Sequence, residues 1–144
     1  MTLRGRRTRH ADDRGSAAVE LVLLTPLLVL VLLVVVALGR LADARLVVAD
    51  AAHQAARAAS LSRNEHAART WAAHAAATAL KDAGAACGSP RVRVTTAGLT
   101  PGASVSANVS CTAALGDLTR TGMPGHVRLD GTAFSVVDSF RGTS

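Results

Sequence analysis

"LVLLTPLLVLVLLVVVALGRLADARLVVADAAHQAARAAS", Leu21 to Ser60, joins two kinds of helical pattern with no breaker at their junction beyond Gly39. Its first nineteen residues, Leu21–Gly39, carry no charge. As a helix rising about 1.5 Å per residue they reach roughly 28 Å, enough to cross a hydrocarbon core of about 30 Å. A buried helix of a soluble protein seldom needs so unbroken a Leu/Val run. Pro26 removes one backbone donor inside the span and is expected to bend it, which a membrane helix tolerates where local adjustments satisfy the freed carbonyl.

Past Arg40 the pattern turns amphipathic. Asp43, Asp50 and Arg57 recur every seven residues on one face, while Leu41, Ala44, Val48, Ala52, Ala55 and Ala59 follow a 3–4 spacing on another. One helix from about Ser16 to Ser60 is therefore predicted, with small apolar residues that let a second layer approach closely.

Upstream, Arg4, Arg6, Arg7, Arg9 and Arg14 stand against Asp12 and Asp13, so residues 1–14 carry +3 of the chain's formal +6. The remaining +3 is spread over the other 130 residues. Clustered arginine can neutralise nucleic-acid phosphates, but this cluster abuts an apolar span and offers no interleaved aromatics for stacking. A topogenic flank is the better reading, with the N-terminus held in the cytoplasm and residues 41–144 outside. The apolar core is too long for an ordinary cleavable signal peptide, despite the "ADA" at Ala42–Ala44, and "RR" at Arg6–Arg7 lies too far upstream for twin-arginine export. A retained anchor at residues 16–40 follows.

"RGSAAVEL", Arg14–Leu21, places Glu20 five residues after Gly15 at the edge of the span. A carboxylate costs about 2.5–3.5 kcal/mol at mid-bilayer unless it is paired. At a helix start it also gains from the macrodipole, so the spacing alone fits either an interfacial charge or a partnered one. A basic leader, a glycine, a glutamate at the fifth position and a long apolar helix resemble the class III signal of type IV pilins and pseudopilins. With the early proline and "ADAAHQAARAAS" (Ala49–Ser60), the stretch resembles the TadE-like family, minor pilins or pseudopilins of the tight-adherence (Flp-type) pilus. Residues 14–60 carry this resemblance, in Val19-Glu20 after the glycine and in the Ala/Arg-rich helix ending near Arg57. Ser16 departs from the Phe or Met that pilins often carry at that position.

The resemblance implies residues 1–15 as a leader removed by a prepilin peptidase between Gly15 and Ser16. It implies Glu20 as an assembly group pairing with a neighbouring subunit's new ammonium terminus. Other Tad pilins, inner-membrane platform proteins and the lipid bilayer are then the partners. The chain would be a single-pass protein of the cell membrane, working there or within the pilus, with no cofactor, nucleic acid or small-molecule substrate. A membrane-anchored extracytoplasmic binding or adaptor domain that never enters a filament is the other class left open. Gly15 and Glu20 separate the two, because a plain anchor needs neither.

The outer region, 41–144, reads as α+β: the long helix, a second helix and a three-stranded antiparallel sheet, pilin-like in architecture. "LSRNEHAARTWAAHAAATALKDAG" (Leu61–Gly84) opens with Ser62 and Glu65 at capping-box spacing and closes on Gly84 as a C′ residue. Trp71, Ala75, Thr78 and Ala79 share a face, and Trp71 is predicted to anchor the core. Beyond "GSP" the period becomes two. Arg91–Thr96 and Ser104–Ala114 alternate, the latter with Val105, Ala107, Val109, Cys111 and Ala113 inward. A third segment starts at His126 after a Gly/Pro-rich connection; its Asp130-Gly131 fits a two-residue hairpin turn or a bulge, and the phase change from Val127/Leu129 to Phe134/Val136 favours a bulge in one longer strand.

Cys87 and Cys111 close a loop of about 25 residues. In an oxidising compartment a disulfide there would contribute roughly 3–4 kcal/mol. Two cysteines without CxxC spacing make a poor metal site, and a catalytic thiol would need a positioned histidine. The five histidines, 10, 53, 66, 74 and 126, form no i, i+4 pair, and no HExxH, P-loop, G-x-S-x-G or Rossmann fingerprint occurs. A structural protein is expected rather than an enzyme.

Overall fold

The computed structural model describes residues 13–120 and 122–139. Six elements follow in order: α1 Asp13–Ser60, α2 Glu65–Asp82, β1 Gly88–Thr96, β2 Ser104–Ala114, α3 Leu115–Thr119 and β3 His126–Val136. The fold is α+β, with the long apolar N-terminal helix, the second helix and the three-stranded antiparallel sheet. By contacts the chain divides into two units, Met1–Val36 and Ala37–Ser144.

In the first unit, the large apolar side chains of α1 from Val19 to Val36 are all exposed. Pro26 lies within the helix, and the neighbouring Thr25 hydroxyl donates to the Leu21 carbonyl at 2.6 Å. Back-bonding of this kind satisfies a polar side chain without any help from water. Among the described residues of this unit nothing covers the stretch.

The second unit is built on small residues. Val48, Ala51, Ala52, Ala55, Ala56 and Ala59 of α1 are buried, while Asp43, Asp50 and Arg57 stay exposed, as the two predicted faces require. From α2 come Ala68, Ala72, Ala76 and Leu80, and from β2 come Val105, Ala107, Val109, Cys111 and Ala113. The largest fully buried side chains are all valine: Val48, Val105, Val109 and Val137. Each contributes about 1.5–3 kcal/mol on burial, so the core depends on close backbone approach rather than on bulk.

Helix α2 buries a different face from the predicted one. Ala68, Ala72, Ala76 and Leu80 point inward, about 100° of helix rotation from the expected stripe, and Trp71 is 59% exposed. The alanine face admits a tighter approach than the indole would, so the sole tryptophan is left on the outside. Its ring meets His74 edge-on, with centroids 6.2 Å apart. The N-cap also differs. Asn64, rather than Ser62, caps the helix, its Oδ1 accepting from the Ala67 N–H at 2.8 Å. The Ser62 hydroxyl is buried and donates to the Ala58 carbonyl at 3.1 Å, which ties it to α1 instead. At the other end Gly84 adopts φ +61, with Gly84 N–H bonded to Lys81 O and Ala85 N–H to Leu80 O, a Schellman closure.

The sheet runs in the order β1-β2-β3, antiparallel throughout. Between β2 and β3 the register is unbroken from Ser104↔Val136 to Ala114↔His126. The bulge expected at Asp130-Gly131 is therefore absent. Leu129, Gly131 and Ala133 are buried in succession, whereas Phe134 and Val136 stand on the open face, 73% and 66% exposed. The phase never switches, because Gly131 itself occupies an inward position. A Cβ there would lie 2.6 Å from the Val48 carbonyl oxygen and 2.9 Å from Ala49 N, so only glycine fits beneath α1. The sheet's irregularity falls elsewhere, between Gly88 and Arg91 of β1. The β2–β3 connection, read as an irregular Gly/Pro-rich stretch, also holds the five-residue α3.

Candidate functional site

Glu20 lies on α1 with its side chain exposed, and the next ionisable residue along the chain is Arg40. The helix therefore presents one carboxylate at the head of a nineteen-residue uncharged face. The ion pairs Glu65–Arg69 at 3.3 Å and Arg128–Asp130 at 3.2 Å are both exposed and lie in the other unit. Such a carboxylate can accept hydrogen bonds or pair with a cation. Of the predicted leader, residues 1–12 lie outside the described residues. Gly15 and Ser16 fall within the first turns of α1. The first four N–H groups of a helix lack internal partners, so this is the part of α1 that unwinds at least cost.

Cys87 and Cys111 are joined in a disulfide, with Cα atoms 5.5 Å apart. Cys111 is buried on the inner face of β2, and Cys87 sits in the short segment between α2 and β1. The bridge thus fastens the end of α2 to the middle strand, in a core whose buried side chains are small. Among the described residues no group of three or more His, Cys, Asp or Glu converges as a metal site would require.

Sequence pattern marks Gly131 as part of a bulge, not as a contact point with α1. Its signal was present as a lone glycine within an alternating strand, which marks either a bulge or a close backbone approach. The same sequence supports both, and the contact with α1 decides for the second.

Among the described residues one helix, within Ala18–Ser60, is long and apolar enough to cross a membrane, which fits single-pass membrane anchoring. Residues 15–57 match the family model described as TadE-like protein. Over that segment, about three tenths of the chain, the sequence is similar to that family, from Gly15 through the apolar run to the alanine face of α1. The match and the apolar helix fit a membrane protein associated with the Tad pilus. No curated protein and no solved structure matches the chain.

Proposed function

We propose that this protein is a structural component of Flp-type pilus assembly, a minor pilin or pseudopilin anchored by residues 16–40. Residues 1–15 face the cytoplasm, and the domain of residues 41–144 lies on the extracytoplasmic side. A prepilin peptidase cuts between Gly15 and Ser16, leaving the apolar helix in place. Glu20 then pairs with the ammonium terminus of a neighbouring subunit. The observation that carries this reading is the TadE-like match over residues 15–57, which includes both Gly15 and Glu20.

The physical argument concerns cost. An unpaired carboxylate drawn into the bilayer costs about 2.5–3.5 kcal/mol, and a second subunit's cation offsets it only when the geometry is good. Glu20 therefore sets the register between subunits and rejects misplaced neighbours. Other Tad pilins and inner-membrane platform proteins are the partners on this reading. The test is co-purification with those pilins in strains carrying Glu20→Ala or Glu20→Asp at matched protein levels. Glu20→Ala is expected to insert and fold but fail to assemble, and Glu20→Asp to assemble partially. Normal assembly with Glu20→Ala would return the protein to the class of plain anchored domains.

A further inference from the structure

The open face of the sheet has no role in anchoring or in the α1 packing. The register turns Arg91 and Arg93 of β1, Thr112 of β2, and Arg128, Asp130 and Phe134 of β3 outward, with Ser110 on the same side but only 9% exposed. Three arginines stand against one carboxylate. Arg128 Nε donates to Asp130 Oδ1 at 3.2 Å, and among the described residues the rest of its guanidinium fork stays open.

The irregularity in β1 shapes one end of this face. Gly88 pairs with Thr112 and Arg91 with Ser110, so Ser89 and Pro90 together oppose Cys111. Ser89 takes φ +48, a left-handed conformation uncommon for a non-glycine residue. A cavity of about 320 Å³ opens there, lined by Ser89, Arg91, Ser110, Cys111, Thr112 and Arg128. Arg91 pairs with Ser110 and Arg128 with Thr112, so the two arginines lie diagonally across β2, about 12 Å apart at their Cα atoms, and flank three hydroxyl-bearing side chains. Bulges often re-aim side chains in this way beside a binding site.

We propose that this face binds an acidic polysaccharide, with sugar carboxylates held by Arg91 and Arg128 and sugar hydroxyls by the exposed Ser89 and Thr112. A guanidinium fork matches a planar carboxylate with two parallel hydrogen bonds. Hydroxyl side chains both donate and accept, as sugar hydroxyls do. Phe134 stands four residues further along the face, opposite Ser106, or about 13 Å from the cavity row, and gives a second contact that suits a polymer. Nucleic acid suits the face less well. One exposed aromatic makes no stacking platform, and three arginines offset by Asp130 make no phosphate-tracking stripe. Access to such a polymer rests on the outward orientation proposed above, whereas binding in vitro does not.

The experiment uses the full chain in uncharged detergent micelles, with immobilised alginate as probe and dextran and a DNA duplex as comparisons. Alginate is expected to bind, to weaken as salt is raised, and to bind at least ten-fold less to the Arg91→Gln/Arg128→Gln double variant. Dextran is expected not to bind. Arg63→Gln/Arg69→Gln, which removes the same charge from exposed positions at α2, is expected to leave alginate binding unchanged. Both arginines of the test variant are exposed, and an intact Cys87–Cys111 bridge reports that the domain has folded. An equal loss in the two double variants, or no loss in either, would overturn the site. Duplex binding as tight as alginate binding, through the same arginines, would overturn the choice of polysaccharide.

Discussion

Gly131 of β3 lies directly beneath Val48 of α1, so close that a single added carbon would sit 2.6 Å from the Val48 carbonyl oxygen. The neighbouring positions on β3, Leu129 and Ala133, are buried on the same side. Asn108 holds the strand from the other side, its Nδ2 donating to Gly131 O at 3.3 Å and Thr132 Oγ1 at 2.9 Å. Helix and sheet therefore meet backbone to backbone at this point, and the alanines around it complete the contact.

Gly131→Ala should destabilise the domain by about 1–3 kcal/mol, because the methyl group must displace helix backbone rather than a flexible side chain. Gly131→Val should cost more. Urea denaturation of the detergent-solubilised protein reads this directly, and a midpoint equal to wild type for Gly131→Ala would contradict the packing described here.

Removing the bridge should cost roughly 3–4 kcal/mol, as loop entropy predicts for a separation of 24 residues. Alkylation of Cys87 and Cys111 is expected only after reduction. Membrane insertion should be unaffected in Cys87→Ser or Cys111→Ser, since the apolar run of α1 lies in the other unit. Quantitative thiol labelling before and after reductant measures the first effect, and carbonate extraction of membranes the second.

The two candidate caps of α2 make opposite demands on mutagenesis. Asn64→Ala should lose about 1 kcal/mol through the unsatisfied Ala67 N–H, while Asn64→Ser should keep most of the stability. Ser62 is buried and bonds Ala58, so Ser62→Asn should be destabilising although asparagine is a good cap. Thermal melts of these three variants separate a cap at Asn64 from one at Ser62.

Processing offers a test that needs no assembled pilus. Mass spectrometry of protein from its own host should find Ser16 as the first residue, and Gly15→Val should leave the leader attached. Cleavage after Ala44 would mean that the apolar run is a secretory signal instead. An intact Met1 terminus would remove the peptidase from the list of partners.

Local pattern was sufficient for much of this protein. An uncharged nineteen-residue run needs no partner to be read as a helix. The alternation of Ser104–Ala114 defined both the limits of β2 and its inward face. Gly84 marked the end of α2, because a left-handed C′ position strongly favours glycine. Three features were not legible in that way, and each depends on distance between elements. Trp71 is outside because α2 turns its alanines toward the core. Ser62 bonds back to α1, leaving the cap to Asn64. Gly131 sits in a straight strand because α1 fills the space a side chain would need. Periodicity says which residues share a face; only the packed structure decides how near the opposing backbone comes, and in a core made of alanine and valine that separation selects the residue.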